Sequence, residues 1–139
     1  MAKDANSRKI ILLVDDDEIH LAITESELKD EYEVVMVKSG EEALEFLGKN
    51  HIVPDLVLLD ILMPTMDGWE TFDKINDIAT LKLTPIMFYT SLDEANAKEK
   101  AYELGAFDYI TKPCEQSVLQ TKIKTTIQKA ESRKQQYGV

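Results

Sequence analysis

The sequence predicts an α/β fold, a doubly wound five-stranded parallel sheet of order 2-1-3-4-5 with helices on both faces. Short apolar runs recur along the chain, and each is followed by apolar residues at helical spacing, the alternation that builds a parallel sheet with crossover helices. Three of the runs are continuously apolar, as strands covered on both faces require. Five such units fit within 139 residues, and right-handed crossovers leave this order as the common small solution.

The first strand is expected over Lys9 to Val14, and it runs into Asp15, Asp16 and Asp17. Asp17 stands where the first helix needs an N-cap, and Ile19, Ala22 and Ile23 carry that helix's apolar spacing. Glu33 to Val37 is the second strand. Ser39 with Glu42 then forms a capping box for a helix bearing Ala43, Leu44 and Leu47. Asp55 to Leu59 is the third strand and stops at Asp60. Asp67-Gly68 is turn chemistry opening a helix with Phe72 and Ile75. The fourth strand, Pro85 to Tyr89, delivers Thr90 and Ser91. Its helix carries Ala97, Ala101 and Leu104, and Gly105 follows where a left-handed C-cap belongs. Phe107 to Ile110 is the fifth strand, ending at Thr111 and Lys112. Leu119, Ile123, Ile127 and Ala130 mark the last helix, with Gln120, Lys122 and Lys124 on its polar face. The fold is thus flavodoxin-like. Residues 1–8 are expected to be a disordered leading segment, 9–130 the domain, and 131–139 a frayed helix end or connector stub.

With 44% apolar and 30% charged residues the chain has the proportions of one globular domain, which at this size buries roughly two thirds of its unfolded surface. Sixteen basic against 26 acidic residues leave a net charge of -10. That balance repels phosphate backbones and argues against direct nucleic-acid binding. The exception is the stretch from Lys112 onward, where six basic residues face two acidic ones. Cys114 is the lone cysteine, so a reducing, cytoplasmic setting is expected. Ile10 to Val14 is too short for a signal core or a membrane span.

In a sheet of this kind function sits at the carboxyl ends of the strands. Strands 1, 3 and 4 are adjacent and strand 5 lies beside strand 4, so Asp15, Asp16, Asp60, Thr90 and Lys112 converge on one shallow cleft. Carboxylates at 4 Å repel by about 4 kcal/mol per pair at an effective dielectric of 20, so the cluster calls for a cation. Hard oxygen ligands without clustered His or Cys favour Mg²⁺, which keeps positions open for a phosphoryl oxygen. Lys112 adds positive charge and Thr90 a hydroxyl donor, giving a site complementary to a phosphoryl group. There is no Gly-rich phosphate loop and no base-activated Ser or Cys. The nucleophile available is a carboxylate, and its product is an aspartyl phosphate.

Five blocks, in order, resemble the receiver domains of two-component response regulators: Ile-Leu-Leu-Val-Asp15-Asp16-Asp17; Pro54-Asp-Leu-Val-Leu-Leu-Asp60; Met63-Pro64-Thr-Met-Asp67-Gly68; Thr90-Ser91; and Gly105-Ala106-Phe-Asp-Tyr109-Ile-Thr-Lys112-Pro113. The resemblance extends from Lys9 to about Ala130. It implies that Asp60 accepts a phosphoryl group from a phosphohistidine on a histidine kinase or histidine phosphotransfer protein. It further implies that Asp15, Asp16, Asp60 and the backbone carbonyl of Leu62 hold Mg²⁺, and that Lys112 and Thr90 contact the phosphoryl oxygens. Thr90 and Tyr109 would act as the switch, changing the face of helix 4, strand 5 and helix 5 for a downstream effector or output domain. A phosphorylation-dependent homodimer is compatible with this reading. Such a chain phosphorylates and dephosphorylates itself and is not a turnover enzyme on an outside substrate.

Cys114 departs from the family pattern, where Phe is frequent after the proline, and Ser91 stands where Ala is frequent. Leu62 and Leu92 lie two residues past Asp60 and Thr90, positions that in the family flank the path of hydrolytic water, so on this resemblance their apolar side chains imply slow self-dephosphorylation. Plainer readings stand beside these: Thr90 as a helix cap, Tyr109 and Trp69 as packing, the basic last helix as a solvated face, and His20 and His51 as surface residues. Two rival functions are a small phosphatase of the haloacid dehalogenase type and a receiver-like interaction module that is never phosphorylated. Against the first, Glu18-Ile19 follows the aspartates where that family has Gly-Thr or Gly-Val.

Overall fold

The chain is described by a computed structural model covering residues 7–49 and 52–136; His51 lies outside the described residues. Strand β1 (Ile10–Val14) leads to helix α1 (Glu18–Leu28), β2 (Glu33–Val37) to α2 (Gly40–Lys49), and β3 (Leu56–Leu59) to α3 (Gly68–Asn76). A short 3-10 turn (Ala79–Leu81) precedes β4 (Ile86–Thr90), α4 (Ala95–Leu104), β5 (Asp108–Thr111) and α5 (Gln116–Gln136). All pairings are parallel and the order is β2-β1-β3-β4-β5, as the sequence predicts.

Strand alternation splits the core in two. Leu12, Val14, Val57, Leu59, Ile86 and Phe88 face α2, α3 and α4, where Ala43, Leu47, Phe72, Ile75, Ala97 and Ala101 complete one buried cluster. Ile11, Leu13, Leu56, Leu58, Met87 and Ile110 face α1 and α5 and meet Leu21, Leu28, Leu119, Ile123 and Ile127. Strand bounds move by a residue or so from expectation for local reasons. Pro85 has no N–H for the ladder, and the Asp55 carboxylate takes the Ile10 N–H at 2.7 Å. The Lys112 N–H bonds to the Thr90 carbonyl at 2.8 Å.

The first helix corrects the sequence reading. Its buried residues are Leu21, Thr24 and Leu28, while Ile19 is 71% and Ile23 51% exposed. Asp17 sets this phase, accepting the backbone N–H groups of Ile19 and His20 and fixing how the first turn leaves β1. Leu104 is likewise exposed, because α4 buries only its alanine stripe, Ala97 and Ala101. Gln120, on the polar face of the last helix, is half-buried: its side-chain amide, with that of Gln116, donates to the Glu27 carbonyl and ties α5 to α1. The caps follow expectation. Asp67 accepts the Glu70 N–H, and Gly105 closes α4 at φ 101°. The Ser39 hydroxyl accepts the Glu42 N–H, while the Glu42 carboxylate reaches one residue further back, to the Lys38 N–H.

Helix α5 spans 21 residues, about 31 Å at 1.5 Å per residue, and so overruns a five-residue strand of about 17 Å. Its far end is held by the Lys9–Glu131 ion pair and by Arg133 over the Phe107 ring.

Candidate phosphoacceptor site

Two strand ends place the acidic residues. Val14 is in register with Leu59, so Asp15 and Asp60, the next residues on neighbouring strands, stand side by side. Their backbones continue the ladder, with the Asp60 N–H on the Val14 carbonyl at 3.0 Å and the Asp15 N–H on the Val37 carbonyl at 3.2 Å. Carboxylate oxygens of Asp15, Asp16 and Asp60 all lie within 4.8 Å of one another. Asp15 and Asp60 are buried, whereas Asp16 is exposed.

Each buried carboxylate has one oxygen tied to backbone. Asp15 Oδ1 accepts the Asp17 N–H at 2.9 Å, and Asp60 Oδ1 accepts the N–H groups of Ile61 at 2.7 Å and Leu62 at 3.3 Å. Their other oxygens face the Lys112 ammonium, which bonds to Asp15 Oδ2 and stands 3.5 Å from Asp60 Oδ2. Burial holds the Asp60 carboxyl above the usual carboxylate range; the nearby Thr90 hydroxyl and the Lys112 charge pull it down, and the Asp15 charge pushes it up. Gly68 makes this packing feasible, since a Cβ there would stand 2.3 Å from the Asp60 carbonyl oxygen.

Thr90 is fully buried at the end of β4, and its Oγ1 accepts the Leu92 N–H at 3.3 Å. Across the same loop, the buried Tyr109 donates its phenolic O–H to the Leu92 carbonyl. Burial, with the charges of Asp93, Glu94 and Asp60, pushes the Tyr109 phenol up to about 12, so it stays a donor. Thr90 and Tyr109 therefore grip one short loop, both through Leu92. Behind it Phe88 stands 6.1 Å from the Tyr109 ring, 5.4 Å from Phe72 and 5.0 Å from Trp69, with Lys100 Nζ 4.4 Å from the Trp69 ring. The peptide between Lys112 and Pro113 is cis.

Sequence reasoning missed His20. It is exposed at the surface, as expected, yet Nδ1 lies 3.6 Å from Asp17 Oδ2, 3.9 Å from Asp15 Oδ2 and 3.5 Å from Lys112 Nζ. The signal was available: His20 is the third residue after the Asp17 cap, the position from which a side chain reaches back over the helix start.

Residues 11–124 match the family described as the response regulator receiver domain. The chain belongs to that family. Among curated receiver-containing relatives, response regulator PleD of Caulobacter vibrioides is 34% identical over 116 residues, which is 83% of this chain and 25% of the relative. The probable transcriptional regulator ycf27 of Cyanophora paradoxa is 34% identical over 127 residues, 91% of this chain and 51% of that protein, and the alkaline phosphatase synthesis transcriptional regulatory protein PhoP of Bacillus subtilis is 33% identical over 124 residues, 88% of this chain and 50% of that protein. The chain thus spans about a quarter to a half of the length of these relatives. A CheY-like receiver domain from Methanospirillum hungatei superposes with a TM-score of 0.83 at 29% identity, covering 91% of this chain and 99% of that one. Receiver domains accept a phosphoryl group on an aspartate and work as response regulators, which sets aside the haloacid dehalogenase alternative. Among the described residues no helix is long and apolar enough to cross a membrane.

The acidic cluster fits a small divalent cation. Octahedral bonds of about 2.1 Å put ligand oxygens about 3–4 Å apart, a spread that three carboxylates within 4.8 Å reach with small side-chain adjustments.

Proposed function

We infer that this receiver domain takes a phosphoryl group onto Asp60 from a phosphohistidine of a histidine kinase or histidine phosphotransfer protein. The observation that carries the reading is the convergence of Asp15, Asp16, Asp60 and Lys112 within a few ångströms at one sheet edge. Asp60 Oδ2, free of backbone bonds, attacks phosphorus. The phosphorus–nitrogen bond breaks and its electron pair leaves with the donor imidazole. Lys112 and the Thr90 hydroxyl take up the charge that shifts outward onto the phosphoryl oxygens. Asp15, Asp16, Asp60 and the Leu62 carbonyl are the residues to hold Mg²⁺, which when bound supplies two positive charges and a coordination position for a phosphoryl oxygen.

Phosphorylation makes the Asp60 side chain more negative and adds acceptor oxygens within reach of Thr90. Thr90 and Tyr109 share the Leu92 loop, so a change at one is felt at the other, and the α4, β5 and α5 face is the surface that presents it to a downstream effector or output domain. A phosphorylation-driven homodimer through that face and a cytoplasmic location accord with the reading. Leu62 is exposed and Leu92 half-buried at the cleft mouth, and their apolar side chains favour a long-lived phosphoryl group; a half-life of seconds would refute that point. The test is intact-mass spectrometry after incubation with Mg²⁺ and acetyl phosphate. One added phosphate in the wild type and none in Asp60→Asn is expected; an unlabelled wild type overturns the reading and favours the unphosphorylated interaction module.

A further inference from the structure

The Lys112 ammonium is surrounded. Its side chain is only 9% exposed, and the ammonium bonds to Asp15 Oδ2 and stands 3.5 Å from Asp60 Oδ2, 5.2 Å from the centre of the Tyr89 ring and 3.5 Å from His20 Nδ1. An ammonium has three protons to place, and three acceptors surround this one. With the ring proton on Nε2, His20 Nδ1 offers the uncharged acceptor of the three. The imidazole is placed by the helix start, because the His20 N–H is itself bonded to Asp17 Oδ1 at 3.2 Å. The ring also walls a cavity of about 300 Å³ that it shares with Lys112, Tyr89 and Cys114.

We propose that His20 is a positioning residue of the phosphoacceptor site, its Nδ1 accepting a hydrogen bond from the Lys112 ammonium and so fixing the proton that faces Asp60. The inference rests on the function proposed above. Without His20 the NH₃⁺ group keeps Asp15 Oδ2 and, at 3.5 Å, Asp60 Oδ2, with its third proton left unanchored, and a donor that must reorient during transfer stabilises the outgoing charge less than one already aimed. A neutral acceptor anchors the rotation without adding another negative charge to a site that must receive a phosphoryl group.

The test is the rate of acetyl phosphate labelling of the full chain with Mg²⁺, followed by intact mass over a range of donor concentrations. His20→Leu is expected to lower the rate at saturating donor by about fivefold to tenfold, the weight of one oriented neutral hydrogen bond, with the half-saturating concentration unchanged. His20→Asn sets an amide oxygen where Nδ1 stands and restores most of the rate. His20→Gln sets it where Nε2 stands and does not. Equal rates for wild type and His20→Leu, or equal losses for the Asn and Gln variants, overturn the proposal, the second outcome marking a merely structural role. Failure of the wild type to label counts against the phosphoacceptor reading itself. The contact is then read directly from the ¹⁵N resonance of the Lys112 ammonium: a shift in His20→Leu but not in His20→Asn supports it, and no shift in His20→Leu refutes it.

Discussion

Asp60 carries a cost that its own replacement should reveal. Its carboxyl is raised chiefly by burial, so the ionised form is less comfortable in the folded chain than in the unfolded one. Below the ordinary carboxylate range both states hold the proton and no penalty is felt. The penalty develops as pH rises through the folded value and is complete at neutral pH. Asp60→Asn is therefore expected to raise stability by about 1 kcal/mol at neutral pH, with the gain shrinking as pH falls; urea unfolding at several pH values measures it. Lys112 is the converse case. Lys112→Met strips the ammonium from two buried carboxylates and should cost about 3 kcal/mol, with a smaller loss in the Asp60→Asn background. Equal losses in the two backgrounds would show that Lys112 does not neutralise Asp60. Most of these residues were legible in the sequence, since a parallel sheet collects what its strand ends carry. His20 was missed because it stands on a helix rather than at a strand end, where its spacing from the Asp17 cap was the one sequence signal, and Lys112 lies 92 residues away along the chain.

At the scale of elements, packing decides what spacing alone leaves open. Ile19, Ala22 and Ile23 have helical spacing and would make a plausible buried stripe, yet Leu21, Thr24 and Leu28 are the residues that meet the sheet. Two faces of α1 are apolar enough to compete, and the cap that joins the helix to β1 chooses between them. Ile23→Ser should leave stability within about 0.5 kcal/mol of wild type, whereas Leu28→Ala should cost about 2–5 kcal/mol; reversed magnitudes in thermal unfolding would reinstate the first reading. Gly68 joins α3 to the strand that carries Asp60. A methyl group there meets the Asp60 and Ile61 backbone rather than a yielding side chain, so Gly68→Ala should lose about 1–3 kcal/mol and also slow labelling at Asp60. The tie from Gln116 and Gln120 to Glu27 had no sequence signal at all, because it depends on how two distant helices lie together.

For the whole molecule the dominant fact is a charge of -10, part of it concentrated where three carboxylates meet one ammonium. Mg²⁺ should raise the melting temperature, and a concentration ten times its dissociation constant adds about 1.4 kcal/mol. Asp16→Ala should abolish the effect while leaving the fold intact, since Asp16 is exposed. A melting curve with the same Mg²⁺ response in that variant would remove Asp16 from the ligand set. The strand order was legible because alternation and right-handed crossovers admit few arrangements, whereas the helix overhang beyond Ala130 was not, being held by the pairing of Glu131 with Lys9 from the other end of the chain.

The ring cluster behind the Leu92 loop has a practical corollary. Trp69 is the only tryptophan in the chain, and it touches Phe88, which in turn touches Tyr109. Its fluorescence emission is therefore a built-in optical gauge of the loop, and stopped-flow mixing could time the response of the unlabelled protein in real time.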